Sequence, residues 1–179
     1  GKSPEKDSKL KSLQTEVNAA STSMISDVEA EIAKWMAKGK LVGMVGGDHS
    51  TPLGFFNALS KKYKNFGILQ IDAHMDLRKA YEGFTYSHAS IMYNALQLKQ
   101  VSKLVQLGIR DYCAEEQAFA VANKKRGFAY LRFTDGMNML RENKKYVRKL
   151  NSIQFYSKEN TTSFFATGNT YPLHPQTLQ

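Results

Sequence analysis

Short apolar runs alternate along the chain with longer stretches in which apolar residues recur at helical spacing. Between Leu10 and Trp35 the apolar residues follow one another mostly at three- and four-residue steps, and Gly39 follows. This pattern predicts one or two amphipathic helices that end near the glycine. Further helices are predicted over residues 51–63, 88–98, 114–125 and 139–150. Buried strands are predicted over residues 41–45, 66–71, 104–109 and 128–133.

Strands that alternate with helices predict a mainly parallel sheet covered on both faces, that is, a three-layer α/β/α sandwich. We assign this α/β domain to residues 1–156. Residues 157–179 are rich in Ser, Thr, Asn and Pro without a clear period, which predicts an irregular tail. In sheets of this class, ligands bind beyond the carboxyl ends of the strands. Candidate chemistry is therefore expected there.

Composition restricts the setting and the partners. The 179 residues are 42% hydrophobic, which suits one domain, and no apolar run approaches the ~20 residues of a membrane span. The single cysteine, Cys113, favours a reducing, cytoplasmic location. The net charge of +9 is concentrated in residues 124–150, where the spacing favours a solvated helix face. Neither a membrane nor a nucleic acid is expected as a partner.

Two polar motifs follow the first two predicted strands: GGDHS at residues 46–50 and DAHMD at residues 72–76. Side chains alternate across an extended chain, so Asp72, His74 and Asp76 would project to one side, next to His49. Carboxylates packed this closely repel each other unless a cation neutralises them. Ligands of this type, without thiolate, favour Mn²⁺, Mg²⁺ or non-haem iron.

Each motif also has a purely structural interpretation. A single histidine after a strand is often an ordinary hydrogen-bonded residue, and an aspartate there often caps the next helix. The two motifs together favour ligation. Asp48 is expected to orient a ligand or to cap a helix.

The motifs GGDHS, DAHMDLR, SHAS and VQLGIRD resemble the ureohydrolase family, which includes arginase, agmatinase and formimidoylglutamase. The resemblance implies an enzyme with two Mn²⁺ ions that hydrolyses a C–N bond of a guanidino compound, of the agmatine or arginine type, to urea and an amine. It implies that His49 and Asp76 bind one ion, His74 the other, and Asp72 both.

The same resemblance implies further roles. His88 would relay a proton to the leaving amine, although its structural interpretation is a histidine at a helix start. The loop of residues 79–86 would line the substrate pocket, with Glu82 a candidate for meeting a cationic substrate. Relatives commonly form homo-oligomers.

The sequence departs from the family in one respect. The family completes its metal centre with a later Ser-x-Asp-x-Asp-x-x-Asp-Pro motif, and no Asp-x-Asp occurs here. We therefore expect an incomplete arginase-like fold, a fragment that alone could be inactive. Two alternatives stay open: a zinc deacetylase on the related fold, and a non-catalytic protein with a degenerate metal site that binds through the basic residues 124–150.

Overall fold

The computed structural model of the protein describes residues 8–123 and the backbone of residues 128–132. The helices are α1 (Ser8–Ala37), α2 (Pro52–Lys62), α3 (Ile91–Ala95) and α4 (Ala114–Ala122), with a 3₁₀ turn at His88–Ser90. The strands are β1 (Phe66–Ile71), β2 (Val101–Ile109) and β3 (Phe128–Arg132). The predicted helix over residues 139–150 and the predicted tail over residues 157–179 lie outside the described residues.

The three strands form one parallel sheet in the order β1-β2-β3. Ile68 of β1 lies opposite Leu104 of β2, and Gln70 lies opposite Gln106. Each parallel pair is joined through helix, as parallel strands require. The α/β fold class predicted from the sequence is confirmed.

The hydrophobic core lies between the sheet and helices α1, α2 and α3. Phe56 of α2, Met75 and Met92 are fully buried in it. Helices α1 and α2 approach closely at Gly54, where a Cβ atom would meet the carbonyl oxygen of Ile25 and lie 2.8 Å from the side chain of Val28. This contact fixes the position of α2 against α1. No helix in the described part of the chain is long and apolar enough to cross a membrane.

One predicted strand is wrong. Residues 41–46 form no strand, and Leu41 and Val45 are almost fully exposed to solvent. A buried strand needs a hydrogen-bonded neighbour, and among the described strands none pairs with this segment. Its apolar composition therefore predicted burial that its surroundings do not provide.

Candidate metal centre

Two carboxylates and one imidazole meet at the carboxyl end of β1. His49 Nδ1 lies 2.8 Å from Asp76 Oδ2 and 3.4 Å from Asp72 Oδ2. One ligand atom from each of the three residues lies within 4.8 Å of the others. Both carboxylates are buried, with 5% of Asp72 and 4% of Asp76 exposed. The two sequence motifs therefore do converge in space.

A turn before α2 brings His49 to this position. The Asp48 carboxylate accepts a hydrogen bond from the backbone N–H of Ser50 at 2.9 Å. The Asp48 carbonyl oxygen accepts hydrogen bonds from both the N–H and the hydroxyl of Thr51. These bonds close the chain into a tight turn, and Pro52 then starts α2 in the first-turn position that suits a proline.

The chain does not stay extended beyond β1. Asp76 has a φ of +54°, in the left-handed region that residues other than glycine adopt uncommonly. Its carbonyl oxygen accepts hydrogen bonds from the N–H groups of Met92 (3.0 Å) and Tyr93 (3.2 Å) at the start of α3. These contacts hold a backbone conformation that would otherwise be costly.

His74 lies beside the three-residue cluster and not within it. Its side chain is about half exposed; Nδ1 lies 3.4 Å from Asp72 Oδ1, and Nε2 lies 3.8 Å from Asp111 Oδ2. Asp72 thus has one oxygen facing His49 and the other facing His74. The simple alternation expected for Asp72, His74 and Asp76 is replaced by this arrangement.

The electrostatics of the cluster follow from burial and from the short contacts. Burial alone would lower the pKa of His49, but the hydrogen bond to Asp76 and the charges of both aspartates outweigh it and raise this pKa. Burial raises the pKa of Asp76, although the hydrogen bond from His49 opposes it. Because both pKa values are raised, the His49–Asp76 pair holds a proton tightly when no cation is bound.

The donor set fits a divalent cation. His49 Nδ1 faces both carboxylates, while its Nε2 is buried without a hydrogen-bond partner, so the polar contacts of this imidazole are concentrated on the aspartates. One nitrogen and two carboxylate oxygens, all buried and closely spaced, are ligands suited to Mn²⁺ and similar ions. A cation would also replace the proton that now offsets the repulsion between the carboxylates.

His88 and the loop before it lie at the edge of this site. His88 Nδ1 is 3.9 Å from Asp48 Oδ2, and both side chains are more than half exposed. The ring of Tyr81 meets His88 edge-on, with 5.8 Å between the ring centres, and the Arg78 guanidinium lies over Tyr81. Glu82 is exposed at the tip of the same loop with a φ of +51°. Its carbonyl oxygen accepts a hydrogen bond from Gln14 of α1 at 2.7 Å.

Comparison with known proteins identifies the family. Residues 6–155 match the Arginase family. The chain belongs to the arginase family. This agrees with the resemblance to ureohydrolases carried by the sequence motifs.

The relatives of this arginase-family chain include agmatinase from Bacillus anthracis, which is 33% identical over 93 residues covering 52% of this chain and 32% of that protein. N(1)-aminopropylagmatine ureohydrolase from Thermus thermophilus is 35% identical over 98 residues, covering 55% and 32%. The chain spans about a third of the length of these curated relatives. The crystal structure of formimidoylglutamase from Bacillus subtilis superposes on this chain with a TM-score of 0.62 at 20% identity. The superposition covers 84% of this chain and 44% of the formimidoylglutamase, so the two share a fold.

Sequence reasoning missed the buried polar residues that surround this arginase-family site. Gln70 and Gln106 are fully buried on neighbouring strands. Glu116, 4% exposed, accepts hydrogen bonds from the N–H groups of Leu77 (3.0 Å) and Cys113 (2.9 Å). Two signals were available: a glutamine inside each of two apolar runs, and a glutamate three residues after a helix-capping position.

Proposed function

We propose that this protein hydrolyses a C–N bond of a small guanidino compound, of the agmatine or arginine type, to urea and an amine, using two Mn²⁺ ions. The observation that carries the proposal is His49 Nδ1 within 3.4 Å of two buried carboxylates, Asp72 and Asp76. The proposal is further supported by membership of the arginase family and by relatives named agmatinase and N(1)-aminopropylagmatine ureohydrolase.

In this proposal His49 and Asp76 hold one ion, His74 holds the second, and Asp72 contacts both. The two oxygens of Asp72 support that division, because Oδ2 faces His49 and Oδ1 faces His74. Bound Mn²⁺ supplies Lewis acidity and an activated water. A bound cation would favour the charged form of Asp76, whose pKa is raised by burial in its absence.

His88 is the proposed proton donor to the departing amine. Burial alone would raise the pKa of Asp48, but its hydrogen bonds from Ser50 outweigh this and lower the pKa, so the carboxylate stays charged. Asp48 Oδ2 lies 3.9 Å from Nδ1 of His88, so a negative charge stands beside the proposed donor. The ring of Tyr81 packs edge-on against His88. Glu82, on the same exposed loop, is the proposed partner for a cationic end of the substrate.

The proposal treats this chain as part of such an enzyme, and the test is Mn²⁺-dependent release of urea from agmatine and from arginine by the complete protein. Asp72→Ala should abolish both metal binding and urea release, because both proposed ions lose a shared ligand. Asp27→Ala is the matched control, since Asp27 is an exposed aspartate of α1 outside the cluster. An Asp72→Ala protein that kept its metal and its activity would contradict the proposal.

Metal analysis of the same preparations distinguishes the proposed function from its main alternative, a zinc deacetylase. Two Mn²⁺ ions per chain support the ureohydrolase function. One tightly held zinc ion per chain, with amide hydrolysis in place of urea release, would indicate a deacetylase instead, and the three-residue cluster is large enough for one ion.

A further inference from the structure

Two glutamines lie side by side beneath the candidate metal centre. Gln70 and Gln106 occupy opposite positions in the β1–β2 pair, and neither has any exposed surface. A buried side-chain amide is costly unless it is hydrogen-bonded, so the partners of these two residues indicate why polar side chains occupy the core.

Both side chains reach forward to residues 74–76, in the segment that follows β1. Gln70 Nε2 donates hydrogen bonds to Asp76 Oδ2 at 3.0 Å and to the carbonyl oxygen of His74 at 3.3 Å. Gln106 Nε2 donates to the carbonyl oxygen of Met75 at 2.7 Å and to Gln70 Oε1. The pair therefore contacts a proposed ligand side chain and the backbone of the two residues that precede it.

These hydrogen bonds fix which way each of the two amide groups is turned. The Met75 carbonyl oxygen can only accept, so Gln106 must turn its NH₂ group toward it. That NH₂ group also meets Gln70, so Gln70 must present its oxygen to Gln106 and its own NH₂ group to Asp76. The orientation has a cost, because Gln106 Oε1 is left buried without a hydrogen-bond partner.

We propose that Gln70, oriented by Gln106, is a positioning residue of the metal centre that fixes the Asp76 carboxylate for ligation. Asp76 Oδ2 receives hydrogen bonds from His49 Nδ1 and from Gln70 Nε2. When His49 turns its nitrogen to a cation, Gln70 remains as a donor to this carboxylate. The inference rests on the proposed function only in that the site binds a divalent cation.

Isosteric substitution provides the first test. Gln70→Met keeps the length of the side chain and removes the donor, and calorimetric titration with Mn²⁺ should show binding weakened by about 10- to 100-fold, the loss typical when a metal ligand loses its hydrogen-bond partner. Gln106→Met is the matched control, because it removes a buried amide that does not contact a ligand side chain. Because it disturbs the orientation of Gln70 but leaves the donor in place, it should cause a smaller loss. A loss larger than that of Gln70→Met, or unchanged binding by Gln70→Met, would overturn the proposal.

A second measurement needs no metal. In the metal-free protein, Asp76→Asn should shift the side-chain NH₂ signals of Gln70 in an NMR spectrum, because the acceptor changes from a carboxylate to an amide. Unshifted signals would overturn the link between Gln70 and Asp76. If the unaltered chain binds no Mn²⁺, the proposed function fails, and the NMR result still decides independently whether Gln70 positions Asp76.

Discussion

Asp76→Asn should stabilise the metal-free protein and at the same time remove its response to Mn²⁺. Asp72 and Asp76 are both buried, and their ligand atoms lie within 4.8 Å of each other and of His49. Burial raises the pKa of Asp76, so the fold favours the neutral form of this group. Asparagine is neutral, has nearly the same shape, and keeps an oxygen that can accept the hydrogen bond from Gln70.

The size of the effect follows from the distance. Two unit charges no more than 4.8 Å apart repel by at least about 3.5 kcal/mol at an effective dielectric constant of about 20. His49 offsets part of this repulsion when it is protonated, so the gain should be largest at a pH where His49 is neutral. At that pH we expect the free energy of unfolding to rise by about 1–3 kcal/mol. In a chain of this size, each kcal/mol should raise Tm by about 2–4 °C.

The assay is thermal unfolding in EDTA and again with Mn²⁺. The unaltered protein should gain about 2.7 kcal/mol when free Mn²⁺ is 100 times its Kd, whereas Asp76→Asn should gain almost nothing. Asp27→Asn, on the exposed side of α1, should change neither curve. The reasoning would be refuted if Asp76→Asn lowered the metal-free Tm and kept the Mn²⁺ shift, because Asp76 would then be a structural acceptor and not a ligand.

Three other results are expected. Gly54→Ala should cost about 1–3 kcal/mol in urea unfolding, because its Cβ atom would collide with the carbonyl oxygen of Ile25; an unchanged midpoint would contradict the close helix contact. In the metal-free protein, stability should fall as pH rises above about 6.5. The folded protein keeps the His49 proton more strongly than the unfolded chain does, because the pKa of His49 is raised, and this advantage is lost as the pH rises. His49→Gln should flatten that dependence of Tm on pH in thermal melts. Asn18→Ala removes hydrogen bonds to both sides of the loop at residues 83–85 and should speed its cleavage in limited proteolysis; equal rates would show that α1 does not hold the loop.

The local pattern of apolar and polar residues was enough to predict most of the helices and strands. The predicted strand over residues 66–71 has the same bounds as β1. The apolar run itself marks the ends of this strand, because it stops at a charged residue. The apolar run at residues 41–45 has the same local signal but forms no strand, since burial there depends on a neighbouring strand that local sequence does not specify.

The sequence predicted that three of the candidate residues would meet, but not the geometry in which they do so. His49, Asp72 and Asp76 were expected together and lie together. His74 lies apart from them, and Asp76 adopts a left-handed backbone conformation that contacts from the start of α3 hold in place. No periodicity within the motif carries that information.

The two halves of the site are held in different ways, and this has a consequence for metal binding. The segment after β1 is fixed by distant elements: backbone atoms of residues 74–77 are bonded by Gln70, by Gln106, by the start of α3 and by Glu116. The turn carrying His49 is closed mainly by local bonds from Ser50 and Thr51 to Asp48. A turn with only local bonds opens at lower free energy than a segment bonded into the core. The aspartates should therefore keep their positions when a cation enters, and the imidazole should be the ligand that moves to meet it.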